Sequence, residues 1–93
     1  MKSLIIVTYN QEKEIEEIID SALKKKPNEL LIVNDGSTDN TMGILLQARS
    51  EHPEIRIVNQ PKNGIEYSKQ IGLGHAKYKA EIFTKEKKSK GGK

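Results

Sequence analysis

Leu30-Leu31-Ile32-Val33-Asn34-Asp35-Gly36-Ser37-Thr38-Asp39-Asn40-Thr41 is the stretch whose reading decides the fold. An apolar run that breaks into Asp-Gly, then into Ser, Thr and Asp, reads as a buried strand, a tight turn and a helix start. This puts a carboxylate, Asp35, at the carboxyl end of the strand. In open parallel α/β sheets, ligands bind at that edge.

The same alternation repeats on both sides. Upstream, Ser3-Leu4-Ile5-Ile6-Val7-Thr8 is a continuous apolar run without alternation, as expected of a strand covered on both faces. Tyr9-Asn10 ends it. Ile15, Ile18, Ile19, Ala22 and Leu23 then recur at helical spacing, with Asn10 as the expected N-cap and Pro27 as the stop. Glu12 and Glu14 suit the positive end of that helix dipole, and Lys24, Lys25 and Lys26 the negative end. A second helix is expected over about 38–50, capped by Ser37 or Thr38, with Met42, Leu45 and Leu46 inward. Gly43 inside it costs about 1 kcal/mol relative to Ala. Downstream, the pattern predicts a strand over 55–59, a loop at Pro61-Lys62-Asn63-Gly64 and a helix over about 65–77. Ser68, Gly72 and Ala76 fall four apart on that helix, so it can lie close to a sheet. A short fourth strand is expected over 80–84. Strands and helices of these lengths in alternation imply parallel strands and right-handed crossovers. The expected fold is α/β, three layers deep (α/β/α), with a four-stranded sheet in the order 3-2-1-4.

Parallel pairing brings Thr8, Tyr9 and Asn10 beside Asp35, Gly36 and Ser37 on one rim. Asp35 can accept a hydrogen bond from an imide N–H or a ribose hydroxyl. Thr8 and Asn10 offer a hydroxyl and an amide. Gly36 permits close backbone approach, and the helix start at Ser37 attracts an anion. Each feature also has a plain structural explanation, since Asp-Gly is an ordinary turn and Ser/Thr/Asp ordinary capping.

Three segments taken together, 3–12, 31–41 and Asn63-Gly64 through Ile71-Gly72-Leu73 to His75-Ala76, resemble the N-terminal part of family 2 glycosyltransferases in order and spacing. The resemblance covers residues 3–80. It implies the GT-A fold, whose Rossmann-like half binds a nucleotide-sugar donor, commonly a UDP-sugar, and whose second half binds the acceptor. By position, Thr8 and Tyr9 match nucleoside-contacting residues and Asp35 the aspartate that hydrogen-bonds the base. Asp39 matches a position that helix capping already explains. Lys69 stands where the family usually has Arg, which keeps the charge and loses the bidentate fork.

The family's next motif is Asp-x-Asp, which holds a divalent metal (Mg or Mn) on the diphosphate; here Lys85-Glu86-Lys87 falls at that place. Such ions want carboxylate oxygen, so the expectation is no cofactor in this chain and a metal only in complete family members. The resemblance therefore implies a donor-binding part cut short before the metal and acceptor regions, itself inactive. The alternative is a non-enzymatic interaction module, with the unpaired edge of the fourth strand open to a second copy or partner.

The bulk numbers bound the rest. Ninety-three residues make one small domain. Aromatics are only 4% of the chain, so the core must be Ile, Leu, Val and Ala. There is no cysteine, which removes disulfides and thiolate metal sites and fits a reducing, cytoplasmic setting. The longest apolar runs are far too short to span a membrane. The net charge of +3 is local: residues 84–93 hold five lysines against one glutamate, leaving eleven basic against twelve acidic residues in 1–83. The expected division is a domain over 1–83 and a disordered basic tail over 84–93. That tail has no aromatic residue to stack on bases, so nucleic acid is not an expected partner. His52 and His75 lack companions at metal-ligand spacing, and neither Gly-x-Ser-x-Gly nor Gly-x-Gly-x-x-Gly occurs.

Overall fold

Seven elements alternate in the computed structural model, which describes residues 1–84. They are β1 (Lys2–Thr8), α1 (Ile15–Leu23), β2 (Glu29–Asp35), α2 (Thr41–Glu51), β3 (Ile55–Gln60), α3 (Ile65–His75) and β4 (Lys79–Ile82). The strands form one sheet in the order β3-β2-β1-β4, and every pair is parallel. The expected strand order and sense are those observed. The tail from residue 85 onward, with the Lys85-Glu86-Lys87 position, lies outside the described residues.

Strand alternation divides the core into two faces. Leu4, Ile6, Leu30, Ile32 and Ile55 face α1 and α2 and pack with Ile15, Ile19, Ala22 and Leu45. Ile5, Leu31 and Val33 face the other way, with Ile71 and Ala76 of the α3 region packed against them. The three layers are thus two helices, the sheet, and one helix. Gly72 makes the α3 side possible: a Cβ there would come 2.6 Å from Ile5 Cγ2. Burial of β2 at every position explains why its sequence shows no alternation.

Several local expectations shift. Asn10 does not cap α1. It adopts a left-handed φ of 47°, and a turn closed by Ile15 N–H donating to the Gln11 carbonyl at 2.8 Å leads into the helix instead. Helix α1 stops at Leu23, and the N–H groups of Lys24, Lys25 and Lys26 donate back to its last carbonyls, on Asp20, Ala22 and Leu23, before Pro27. Helix α2 begins at Thr41, later than expected. Neither Ser37 nor Thr38 caps it; Asp39 Oδ1 accepts from Thr41 N at 2.9 Å and Thr41 Oγ1 at 2.6 Å. Leu46 points outward and is 43% exposed. Helix α3 ends at His75, and β4 starts one residue early and closes at Ile82.

At the amino end of the strands, buried Glu29 gathers Ser3, Arg56 and the Lys77 backbone N–H. Burial pushes its carboxyl up, but these donors outweigh it and hold the group below the usual range. This network fixes the end opposite the candidate site.

Candidate functional site

The rim begins where the strands change character together. Val7, Val33 and Val58 share one register row; the next row is Thr8, Asn34 and Asn59, and after it Asp35 pairs with Gln60. Apolar sheet thus gives way to polar side chains across three strands at once. The row of Thr8, Asn34 and Asn59 lies on the α1/α2 face, and the row of Asp35 and Gln60 on the α3 face.

On the α1/α2 face, Thr8 Oγ1 donates to Gln11 Oε1 at 2.7 Å. Asn34 Nδ2 donates to Asn59 Oδ1 at 3.0 Å, and Ser37 Oγ donates to Asn34 Oδ1 at 2.6 Å. The loops after β1 and β2 are joined directly. Asn10 N donates to Ser37 Oγ at 2.9 Å, and Thr38 N donates to Asn10 Oδ1 at 2.7 Å. Farther along, Glu12 N donates to Asp39 Oδ2 and Asn40 N donates to Glu12 Oε1. Burial pushes the Asp39 carboxyl up, but the Thr41 hydroxyl and the surrounding backbone N–H groups hold it below the usual range. Its bonds belong to loop and helix structure.

On the α3 face, Asp35 is only 1% exposed. Its Oδ1 accepts from Asn63 N at 2.8 Å and Gln60 Nε2 at 3.1 Å, and its Oδ2 accepts from Gly64 N at 3.0 Å. The Ser68 hydroxyl accepts from Gln60 Nε2 at 2.8 Å and is near enough to favour the charged carboxylate. Burial pushes this carboxyl up; the three donors, with the nearby Ser68 hydroxyl, more than offset it and hold the group below the ordinary range. A carboxylate has about four acceptor positions, and these donors occupy three of them on Asp35. It ties β2 to the loop that starts α3, where Gly64 holds a φ of 99°.

The sequence-derived residues therefore share one rim without converging on one point. Tyr9, Asn10, Ser37 and Gly36 sit together at the tips of β1 and β2, with the Tyr9 residue 38% exposed. Thr8 and Asp35 reach the same end of the sheet but face opposite sides of it. Lys69 lies on α3 and pairs with Glu66 at 3.5 Å. Gly36 has a φ of 72°, and an added Cβ would stand 2.4 Å from Lys62 N, so close approach is real and the approaching partner is the chain's own loop.

Sequence reasoning passed over Gln60, Lys62 and Ser68. Gln60 could have been found from its register opposite Asp35, and Ser68 from its place on the small-residue stripe of α3. Lys62 carried no signal beyond membership of a turn. Among the described residues no group of three or more His, Cys, Asp or Glu side chains gathers as a metal site. The carboxylates of Asp35 and Asp39 are already committed to N–H and O–H donors and do not fit a divalent metal.

Residues 3–84 match the family model for glycosyl transferase family 2. The chain belongs to that family. It is 34% identical over 86 residues to dolichyl-phosphate beta-glucosyltransferase ALG5C of Trichomonas vaginalis, covering 81% of this chain and 26% of that protein. It is 35% identical over 77 residues to the chondroitin synthase of Pasteurella multocida, covering 81% of this chain and 8% of that one. Among solved structures, the mannosyltransferase PcManGT from Pyrobaculum calidifontis, in complex with GDP-Man and Mn2+, superposes with a TM-score of 0.72 at 27% identity, over 81% of this chain and 24% of that one. S. aureus TarS 1-349 superposes with a TM-score of 0.75 at 27% identity, over 88% and 26% of the two chains. The fold is that of GT-A glycosyltransferases, and the chain spans about a quarter or less of the length of these relatives.

Proposed function

We propose that this family 2 glycosyltransferase domain binds the nucleoside part of a nucleotide-sugar donor, a UDP-sugar in the first instance, at the carboxyl rim of β1 and β2. The observation that carries the reading is the junction of the Tyr9–Asn10 and Ser37–Thr38 loops, which holds an exposed aromatic ring beside a helix-leading turn. Tyr9 supplies a stacking face for the base. Asn10 shapes the β1 side of the slot, and Gly36 and Ser37 the β2 side, while Thr8 acts from the α1/α2 face by holding Gln11. Asp35 holds the loop that walls the slot and reads the base imide when one of its donors yields. Gln60 Nε2 is the donor suited to yield: its contact with Asp35 is the longest on Oδ1, and it keeps Ser68 Oγ at 2.8 Å as a second partner. Lys69, on α3, faces the donor's anionic part.

The rim residues bind and orient; transfer to an acceptor is not assigned to any described residue. In cells the donor would be drawn from a cytoplasmic pool, and no described helix is long and apolar enough to cross a membrane. The unpaired edge of β4 is where a second copy or a partner segment would add a strand.

Titration calorimetry with UDP and GDP on the full chain tests the reading. Base–aromatic stacking contributes about 1–3 kcal/mol, so Tyr9→Ala is expected to weaken binding by about 5- to 150-fold. UDP binding tighter than GDP binding supports the uracil assignment, and the reverse order transfers the site to a guanine nucleotide. Equal binding by wild type and Tyr9→Ala would overturn the assigned base slot.

A further inference from the structure

Lys62 touches the rim twice, from opposite ends of the residue. Its backbone lies against Gly36, where even a methyl group would stand 2.4 Å from its nitrogen. Its ammonium stands 3.9 Å from the centroid of the Tyr9 ring. Among the described residues no carboxylate lies within salt-bridge reach of it. The backbone on its far side is pinned by the bonds from Asn63 N and Gly64 N to Asp35. A fixed backbone leaves motion to the flexible four-carbon stem of the side chain.

An ammonium over an aromatic face occupies the surface that a stacking base needs. We propose that Lys62 is a latch on the nucleotide site: base and ammonium compete for the Tyr9 face, and the displaced ammonium pairs with the phosphates of the bound nucleotide. The inference rests on the reading of this rim as a nucleotide site. Lys62 then works against nucleosides, which take its aromatic partner and return nothing, and in favour of nucleotides, which give it an anion. The latch thus selects for a phosphorylated ligand without any other cation having to move.

Lys62→Met keeps the apolar stem and removes the charge, and the residue is exposed, so folding is not at stake. Uridine, guanosine, UDP and GDP are titrated into wild type and Lys62→Met by calorimetry. The expected result is opposite signs: the nucleoside that binds gains about two- to fivefold in affinity, the loss of an exposed cation–π contact converted to a ratio, while its diphosphate loses affinity. A change of the same sign for both, or no change in either, overturns the latch while leaving the nucleotide site standing. If neither protein takes up any of the four probes, the nucleotide reading itself falls and the latch with it. A ligand-free check uses NMR. The Lys62 methylene protons are expected upfield in wild type and shifted back in Tyr9→Leu; identical positions in the two proteins overturn the contact.

Discussion

Asp35→Asn is the perturbation that most sharply separates a free rim carboxylate from a structural anchor. Asparagine keeps the shape and one acceptor oxygen but turns the other position into a donor. In the native arrangement each carboxylate oxygen faces a backbone N–H, from Asn63 on one side and Gly64 on the other. The substitution therefore sets an N–H donor against one of them whichever way the amide turns, and it removes the charge from the remaining bonds. Hydrogen bonds to a charged group contribute about 1.5–3 kcal/mol each. Losing one and weakening the others should cost about 2–4 kcal/mol. A chain of 93 residues has a total stability of roughly 5–14 kcal/mol, so the loss is large. Urea denaturation followed by circular dichroism should show the midpoint falling by about 1–2 M. The acid limb provides an independent check. Asp35 has a depressed folded pKa, so its contribution is complete above the unfolded value of about 3.9 and disappears as pH falls through the folded one. The stability gap between wild type and Asp35→Asn should therefore hold steady from pH 7 to about 5 and narrow below pH 4. A loss under about 0.5 kcal/mol, or a gap that ignores pH, would refute the anchoring role of Asp35.

Three further outcomes follow from the same geometry. Gly36→Ala combines a left-handed φ with a backbone clash at Lys62 and should cost about 2–4 kcal/mol in chemical denaturation; a neutral result would mean the Lys62 loop does not rest there. On α3, Gly72→Ala meets Ile5 at 2.6 Å whereas Gly74→Ala meets nothing within 4 Å. The first should therefore cost about 1–3 kcal/mol and the second should be neutral or stabilising by up to about 1 kcal/mol in thermal melts. Asn10→Ala removes the acceptor for Thr38 N and should cost about 1–2 kcal/mol, with faster amide exchange at Thr38 as its local signature.

Strand order, strand sense and the two-faced core were legible in the sequence because burial on both sides of β1 and β2 leaves uninterrupted apolar runs. The small-residue stripe of Ser68 and Gly72 likewise gave the closeness of α3. Helix starts were less legible. Ser37, Thr38, Asp39 and Asn10 are all competent caps, and the choice among them is made by loop-to-loop bonds between residues about 27 apart, which no local pattern records. The same holds for the site. The chemistry of Asp35 was visible, but its commitment was not, because its three donors come from β3 and the following loop. Only the register pairing Asp35 with Gln60 brings them within reach. Thr8 and Asp35 were expected side by side from strand adjacency. Adjacency sets the end of the sheet; the pleat sets the face, and one step of register separates them.

Mapping backbone amide shifts of the full chain during titration with UDP and with GDP tests the nucleotide-site account most directly. The account predicts saturable changes clustered at Tyr9, Asn10, Gly36, Ser37 and the loop from Lys62 to Gly64. Silence at those amides at millimolar nucleotide, or changes confined to the groove between α1 and α2 around Ile19, Gly43 and Ala48, would contradict it.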